Sequence, residues 1–192
     1  WRFYDHFRTD SDAPARAAQI GTFSPVLSHD GSNLAAALQT ILEIREDEAL
    51  AMTLEDAFPG TRLSIESQHE RFQLRLQQHG LLRPLSAAEL SDGTLRYLLW
   101  AAALLTPRPP ELMVLNEPET SLHPDLIPAL SRLIVAAAKD TQVIVVTHAP
   151  QLIGELTLSS LCSRLHLVKE FGETKLDGAT LLNRPKWIWP AR

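Results

Sequence analysis

Two short apolar stretches, residues 112–115 (Leu-Met-Val-Leu) and 143–146 (Val-Ile-Val-Val), each stop abruptly at polar residues, and a helix-length pattern over 124–138 separates them. Strand, helix, strand, with strands apolar on every side chain, predicts a parallel sheet covered by helices on both faces. The polar residues that end the two strands are then the informative ones. Ligands bind outside the carboxyl ends of the strands in such sheets, so Asn116-Glu117 and Thr147-His148 are expected at one chemical edge.

The rest of the chain is arranged around this unit. Residues 91–105 read as a helix, and its nine-residue apolar run, 97–105, is about half of what a membrane span needs, so it reads as buried. Asn33 reads as the N-cap of a helix beginning at Leu34, and helical spacing continues from Ala49 to Phe58, where Pro59-Gly60 breaks it. Residues 62–66 and 72–76 alternate polar and apolar across a polar turn, the pattern of an amphipathic hairpin. A strand over 164–170 with a return containing Lys175 is expected to form a hairpin at the sheet edge. The first thirty residues show no usable period. One domain is expected, with a helical and hairpin segment over 1–84 preceding the motif-bearing part over 85–192. Trp187 and Trp189, beside prolines, read as a packed C-terminal strap.

Composition narrows the class. The 192 residues carry 18 Lys+Arg against 23 Asp+Glu, a net charge of −5, which argues against a broad nucleic-acid-coating surface. One cysteine, Cys162, excludes an intramolecular disulfide and a multi-Cys zinc site and fits a reducing, cytoplasmic setting. No membrane partner is expected. Position 1 is Trp, and no basic-then-apolar leader follows it, so the expectation is a processed chain or a fragment.

Four motifs occur between Leu90 and His148. Leu90-Ser91-Asp92-Gly93-Thr94 opens a helix whose amides and dipole suit a phosphate: Ser91 can cap it, and Gly93 leaves N–H groups unobstructed. Leu112 to Glu119 is an apolar strand ending in Asn116-Glu117-Pro118-Glu119, where a carboxylate can orient or deprotonate a water. Thr120-Ser121-Leu122-His123-Pro124 turns into a helix, and the second strand ends in Thr147-His148. Each motif alone has an ordinary reading: a cap, solvated loop charges, a Pro-initiated helix, a structural histidine. Their conjunction is what distinguishes them.

In this order, LSDGT resembles the signature loop of ABC-type ATPases, LMVLNEPE the Walker B strand, TSLHP the D-loop, and VIVVTH the switch-histidine strand. Gly93 and Glu117 lie 24 residues apart and Glu117 and His148 lie 31 apart, as is ordinary in that family. NEPETSLHP is similar to the RecF/SMC-like branch, the AAA-labelled predicted ATPases related to DNA-repair and chromosome-maintenance proteins. The resemblance covers residues 85–170, with a weaker part at Asp30-Gly31-Ser32-Asn33-Leu34. It implies a P-loop NTPase-like α/β fold, a parallel sheet with flanking helices and a small antiparallel hairpin, using ATP and Mg²⁺. It also implies roles. Glu117 would polarise the attacking water and His148 would contact the γ-phosphate. Ser91, Asp92, Gly93 and Thr94 would meet a nucleotide held by a second copy, with Ser121 and His123 at the seam of that homodimer.

Two departures from the family stand out. Asn116 occupies the position of an aspartate that helps hold Mg²⁺; it keeps an oxygen acceptor and loses the charge. The phosphate-cradling loop G-x-x-x-x-G-K-[ST] is also missing from the sequence. The residues following the eight glycines are Thr22, Ser32, Thr61, Leu81, Thr94, Glu155, Glu173 and Ala179, none of them lysine. The chain therefore reads as the C-terminal, partial portion of a nucleotide-binding domain, inactive by itself. Two alternatives remain: a non-catalytic interaction module that keeps the fold, and a toxin–antitoxin or phage-defence ATPase component. The charge gives DNA binding no support.

Overall fold

The computed structural model describes residues 1–44 and 48–177. In chain order it contains β1 (Arg2–Tyr4), β2 (Gln19–Ile20), α1 (Leu34–Ile44), α2 (Glu48–Ala57), β3 (Arg62–Gln68), β4 (Arg71–Gln77), β5 (Leu85–Ser86) and α3 (Asp92–Leu104). There follow β6 (Leu112–Asn116), α4 (Ile127–Ala137), β7 (Gln142–Val146), α5 (Pro150–Thr157), β8 (Leu167–Glu170) and β9 (Glu173–Leu176).

The expected strand–helix–strand unit is present. β6 and β7 are parallel neighbours, with Leu115 beside Val145 and Asn116 beside Val146, so the two strands end together. β1 joins them in the order β1-β6-β7, also parallel, with Tyr4 beside Leu115. Three residues are too few to show an alternation, which is why β1 has no period in the sequence.

The expectation that both faces of this sheet are covered is corrected. Tyr4, Met113 and Leu115 are buried on one face. On the other, Phe3, Ile144 and Val146 are 62%, 43% and 51% exposed. Apolar strands signalled burial, but among the described residues the flanking elements close only one side.

The core centres on α3, which is buried at every position from Thr94 to Leu104. Its apolar residues point in all directions, and the one buried charge among them, Arg96, donates to the Phe7 carbonyl at 2.8 Å. Trp100 packs edge-on against Phe7 (ring centroids 4.8 Å apart) and Tyr4 (6.3 Å), so the otherwise patternless N-terminal segment is held by aromatic contacts. α1 forms where expected, with a different cap. The side chain of Asn33 accepts from the Ser28 N–H and donates to the Val26 carbonyl, while the Ala35 N–H at the start of α1 donates to Gln19 Oε1 at 2.7 Å.

β3 and β4 form the predicted hairpin, turning at His69 and Glu70, both in the left-handed region (φ 49° and 61°). With β2 and β5 they make a separate antiparallel sheet. The helix expected over 124–138 is divided: a 3₁₀ turn at Pro124–Leu126 precedes α4. β8 and β9 pair with each other as an antiparallel hairpin. Contacts separate the chain into Trp1–Leu161 and Cys162–Arg192. The tail bearing Trp187 and Trp189 lies outside the described residues. Among the described residues no helix is long and apolar enough to cross a membrane.

Candidate functional site

Parallel pairing of β6 with β7 delivers Glu117 and His148 to the same edge, and their side chains meet there. His148 Nδ1 lies 3.1 Å from Glu117 Oε1. Both are accessible, Glu117 at 44% and His148 at 81% side-chain exposure. The two groups stand within ion-pairing distance, so a proton on the imidazole would place positive charge directly beside the carboxylate. The Glu117 N–H donates to the Val146 carbonyl (2.8 Å), continuing the ladder one step past β6. Glu117 also has φ 43°, a left-handed conformation uncommon outside glycine, so the chain turns sharply at the carboxylate.

Neighbouring polar residues fix this edge. The Thr147 hydroxyl donates to Glu119 and accepts from the Ala149 N–H (3.0 Å), tying the loop after β6 to the segment that carries His148. Glu119 is therefore a brace rather than a solvated loop charge. Asn116 Nδ2 donates to Asp5 Oδ1 at 2.8 Å, linking the ends of β6 and β1.

The second group lies at the start of α3. Ser91 caps the helix, its Oγ accepting from the Thr94 N–H (3.1 Å) and lying 2.8 Å from the Thr94 hydroxyl. A Cβ on Gly93 would sit 3.2 Å from the Ser121 carbonyl oxygen, so glycine lets the turn after Glu117 approach the helix. Ser121 is itself left-handed, at φ 62°. His123 accepts from the Asp125 N–H and is exposed, at the 3₁₀ turn before α4.

Arg16 organises that group. Its nearly buried guanidinium donates to the carbonyls of Ala87 (3.0 Å) and Leu90 (2.7 Å) and pairs with Asp92 at 2.7 Å. An uncompensated carboxylate in the first turn would oppose an incoming phosphate, and Arg16 neutralises it. Asp92 is thus engaged within the chain.

Sequence comparison matches residues 1–154 to the family described as "AAA domain, putative AbiEii toxin, Type IV TA system". The chain belongs to this family. Solved structures with a similar fold are SMC ATPase heads. One comes from work on ATP-driven dimerization and DNA-stimulated activation of SMC ATPases; it has TM-score 0.54 and 14% identity, covering 74% of this chain and 90% of that one. The Smc head with an extended coiled coil bound to the C-terminal domain of ScpA, from Pyrococcus furiosus, has TM-score 0.56 and 15% identity, covering 76% and 36%. The Smc head bound to the winged-helix domain of ScpA has TM-score 0.56 and 14% identity, covering 85% and 53%. The chain thus spans most of the first relative and about half or less of the other two. These likenesses agree with the P-loop-type α/β fold that the motifs imply.

For this AAA-domain chain, Asn116, Glu117 and His148 come together at one strand edge, and Ser91, Gly93 and Thr94 lie with Ser121 at the other feature. Asp5, Arg16, Glu119 and Thr147 are the structural participants that sequence reasoning passed over. Asp5 and Arg16 sit in the segment without a period. Glu119 and Thr147 stood inside recognised motifs, where their mutual bond had no local signal.

Proposed function

We propose that the protein binds and hydrolyses ATP as a RecF/SMC-like ABC-type ATPase, with each site shared between two copies of the protein. The observation that carries this is the Glu117–His148 pair, 3.1 Å apart at the ends of adjacent parallel strands. A carboxylate there can draw a proton from the attacking water while a ring nitrogen engages a phosphate oxygen. The amides at the start of α3, with Ser91 and Thr94, take the γ-phosphate of a nucleotide held by the second copy. Ser121 and His123 line the seam. Hydrolysis removes the γ-phosphate contacts and releases the dimer.

Mg²⁺, when bound, would neutralise charge on the phosphates, and Asn116 carries the strand-end position beside it. Since no G-x-x-x-x-G-K-[ST] loop occurs in these 192 residues, we assign the phosphate cradle to chain outside them. The open apolar face bearing Phe3, Ile144 and Val146 is consistent with further chain packing there. DNA repair or chromosome maintenance is the process proposed for the turnover. A second reading, an ATPase component of a toxin–antitoxin or phage-defence system, is favoured by the family's own description.

Mixed dimers test the shared site. A Glu117→Gln variant and a Ser91→Arg variant of the full-length protein are each expected to be inactive. Mixed in equal amounts, they should recover about a quarter of wild-type turnover, because half the dimers then hold one intact site. A mixture as inactive as its components would refute sharing.

A further inference from the structure

An asparagine at the end of the Walker B-like strand leaves that position uncharged, yet a charge stands directly beside it. β1 and β6 run parallel with Tyr4 beside Leu115, so Asp5 and Asn116, the next residues along, reach the sheet edge side by side. Asn116 Nδ2 donates to Asp5 Oδ1 at 2.8 Å. A carboxylate only accepts, so the amide nitrogen must face it, and this orients Asn116 with its Oδ1 available. Among the described residues no hydrogen bond uses Asn116 Oδ1 or Asp5 Oδ2. Two hard oxygens, one of them anionic, remain at the edge that also carries Glu117.

We propose that Asp5 supplies the carboxylate charge for the divalent cation that Asn116 lacks, the two side chains together replacing a single aspartate. The inference rests on the ATPase reading. Charge and ligand type fit Mg²⁺, which takes oxygen donors, keeps several waters, and is commonly held by one or two carboxylates plus substrate phosphates. The Asn116–Asp5 bond then has a function beyond joining two strand ends: it orients the neutral donor and holds the charged one next to it.

Mn²⁺ is the probe, titrated into the full-length protein with ATP and followed by electron paramagnetic resonance. Metal-free ATP binding, measured in EDTA with a fluorescent analogue, and thermal melting serve as controls. Asp5→Asn is expected to weaken Mn²⁺ binding by about 10- to 100-fold, with metal-free ATP binding and the melting temperature little changed. The exchange Asp5→Asn with Asn116→Asp should restore Mn²⁺ affinity, because the charge returns to the same pair. Unchanged Mn²⁺ affinity in Asp5→Asn, or a folded exchange variant that stays weak, would overturn the inference while leaving the ATPase reading in place. A wild-type protein that binds no ATP in EDTA or with metal would overturn both.

Discussion

Replacing Glu117 by Gln in the full-length protein is expected to lower ATP turnover by about 100-fold or more while ATP stays bound and the dimer stays closed. The amide keeps the size of the side chain and can still pair with His148, so the edge formed by β6 and β7 should persist. It cannot take a proton from water. The contacts that hold a γ-phosphate are untouched by the change, so the protein should accumulate in its ATP-bound form. Turnover is read by phosphate release, and association by light scattering after chromatography with Mg-ATP. Turnover equal to wild type would remove Glu117 from the chemistry and with it the role given to the strand edge.

The largest expected effect on stability is at Trp100. Its side chain is 1% exposed and contacts Phe7 and Tyr4 through edge-on ring packing. Trp100→Ala is expected to cost about 3–5 kcal/mol, the range for a deleted buried aromatic. Against a typical total of about 5–15 kcal/mol that is a large share. Denaturant unfolding should show a lower midpoint with little change in slope. Trp100→Phe should cost less, since it retains an aromatic ring and removes an Nε1–H that has no hydrogen-bond partner among the described residues. The consequence reaches the site: α3 begins with the residues proposed to meet phosphate, and β1, which Asp5 directly follows, is held through Tyr4 by the same aromatic cluster. A small loss in Trp100→Ala would mean that the N-terminal segment is anchored elsewhere.

Periodicity and motif order made most of this molecule legible in the sequence. The buried helix, the two parallel strands, the hairpin and the pairing edge for Glu117 and His148 all follow from repeats of 3.6 and 2 and from where apolar runs stop. What stayed illegible was non-local. β1 is three residues long and is defined by its parallel partner β6, more than a hundred residues away in sequence, so no window along the chain contains its signal. Arg16 reads as a surface cation until its carbonyl partners at Ala87 and Leu90 are seen. Asn33 has the chemistry of a cap, but its side chain is taken by Ser28 and Val26, and Gln19 serves α1 instead. Exposure of Ile144 and Val146 likewise escapes a rule that reads apolar strands as covered on both faces, because a run of apolar residues does not report whether a helix packs over each face.

The most direct test of the ATPase reading is a calorimetric titration of Mg-ATP into the full-length protein. Saturable heat with one nucleotide per protomer is expected, and it should weaken when Mg²⁺ is chelated. A flat titration on folded protein would contradict the reading and leave an interaction module that keeps the fold without the chemistry.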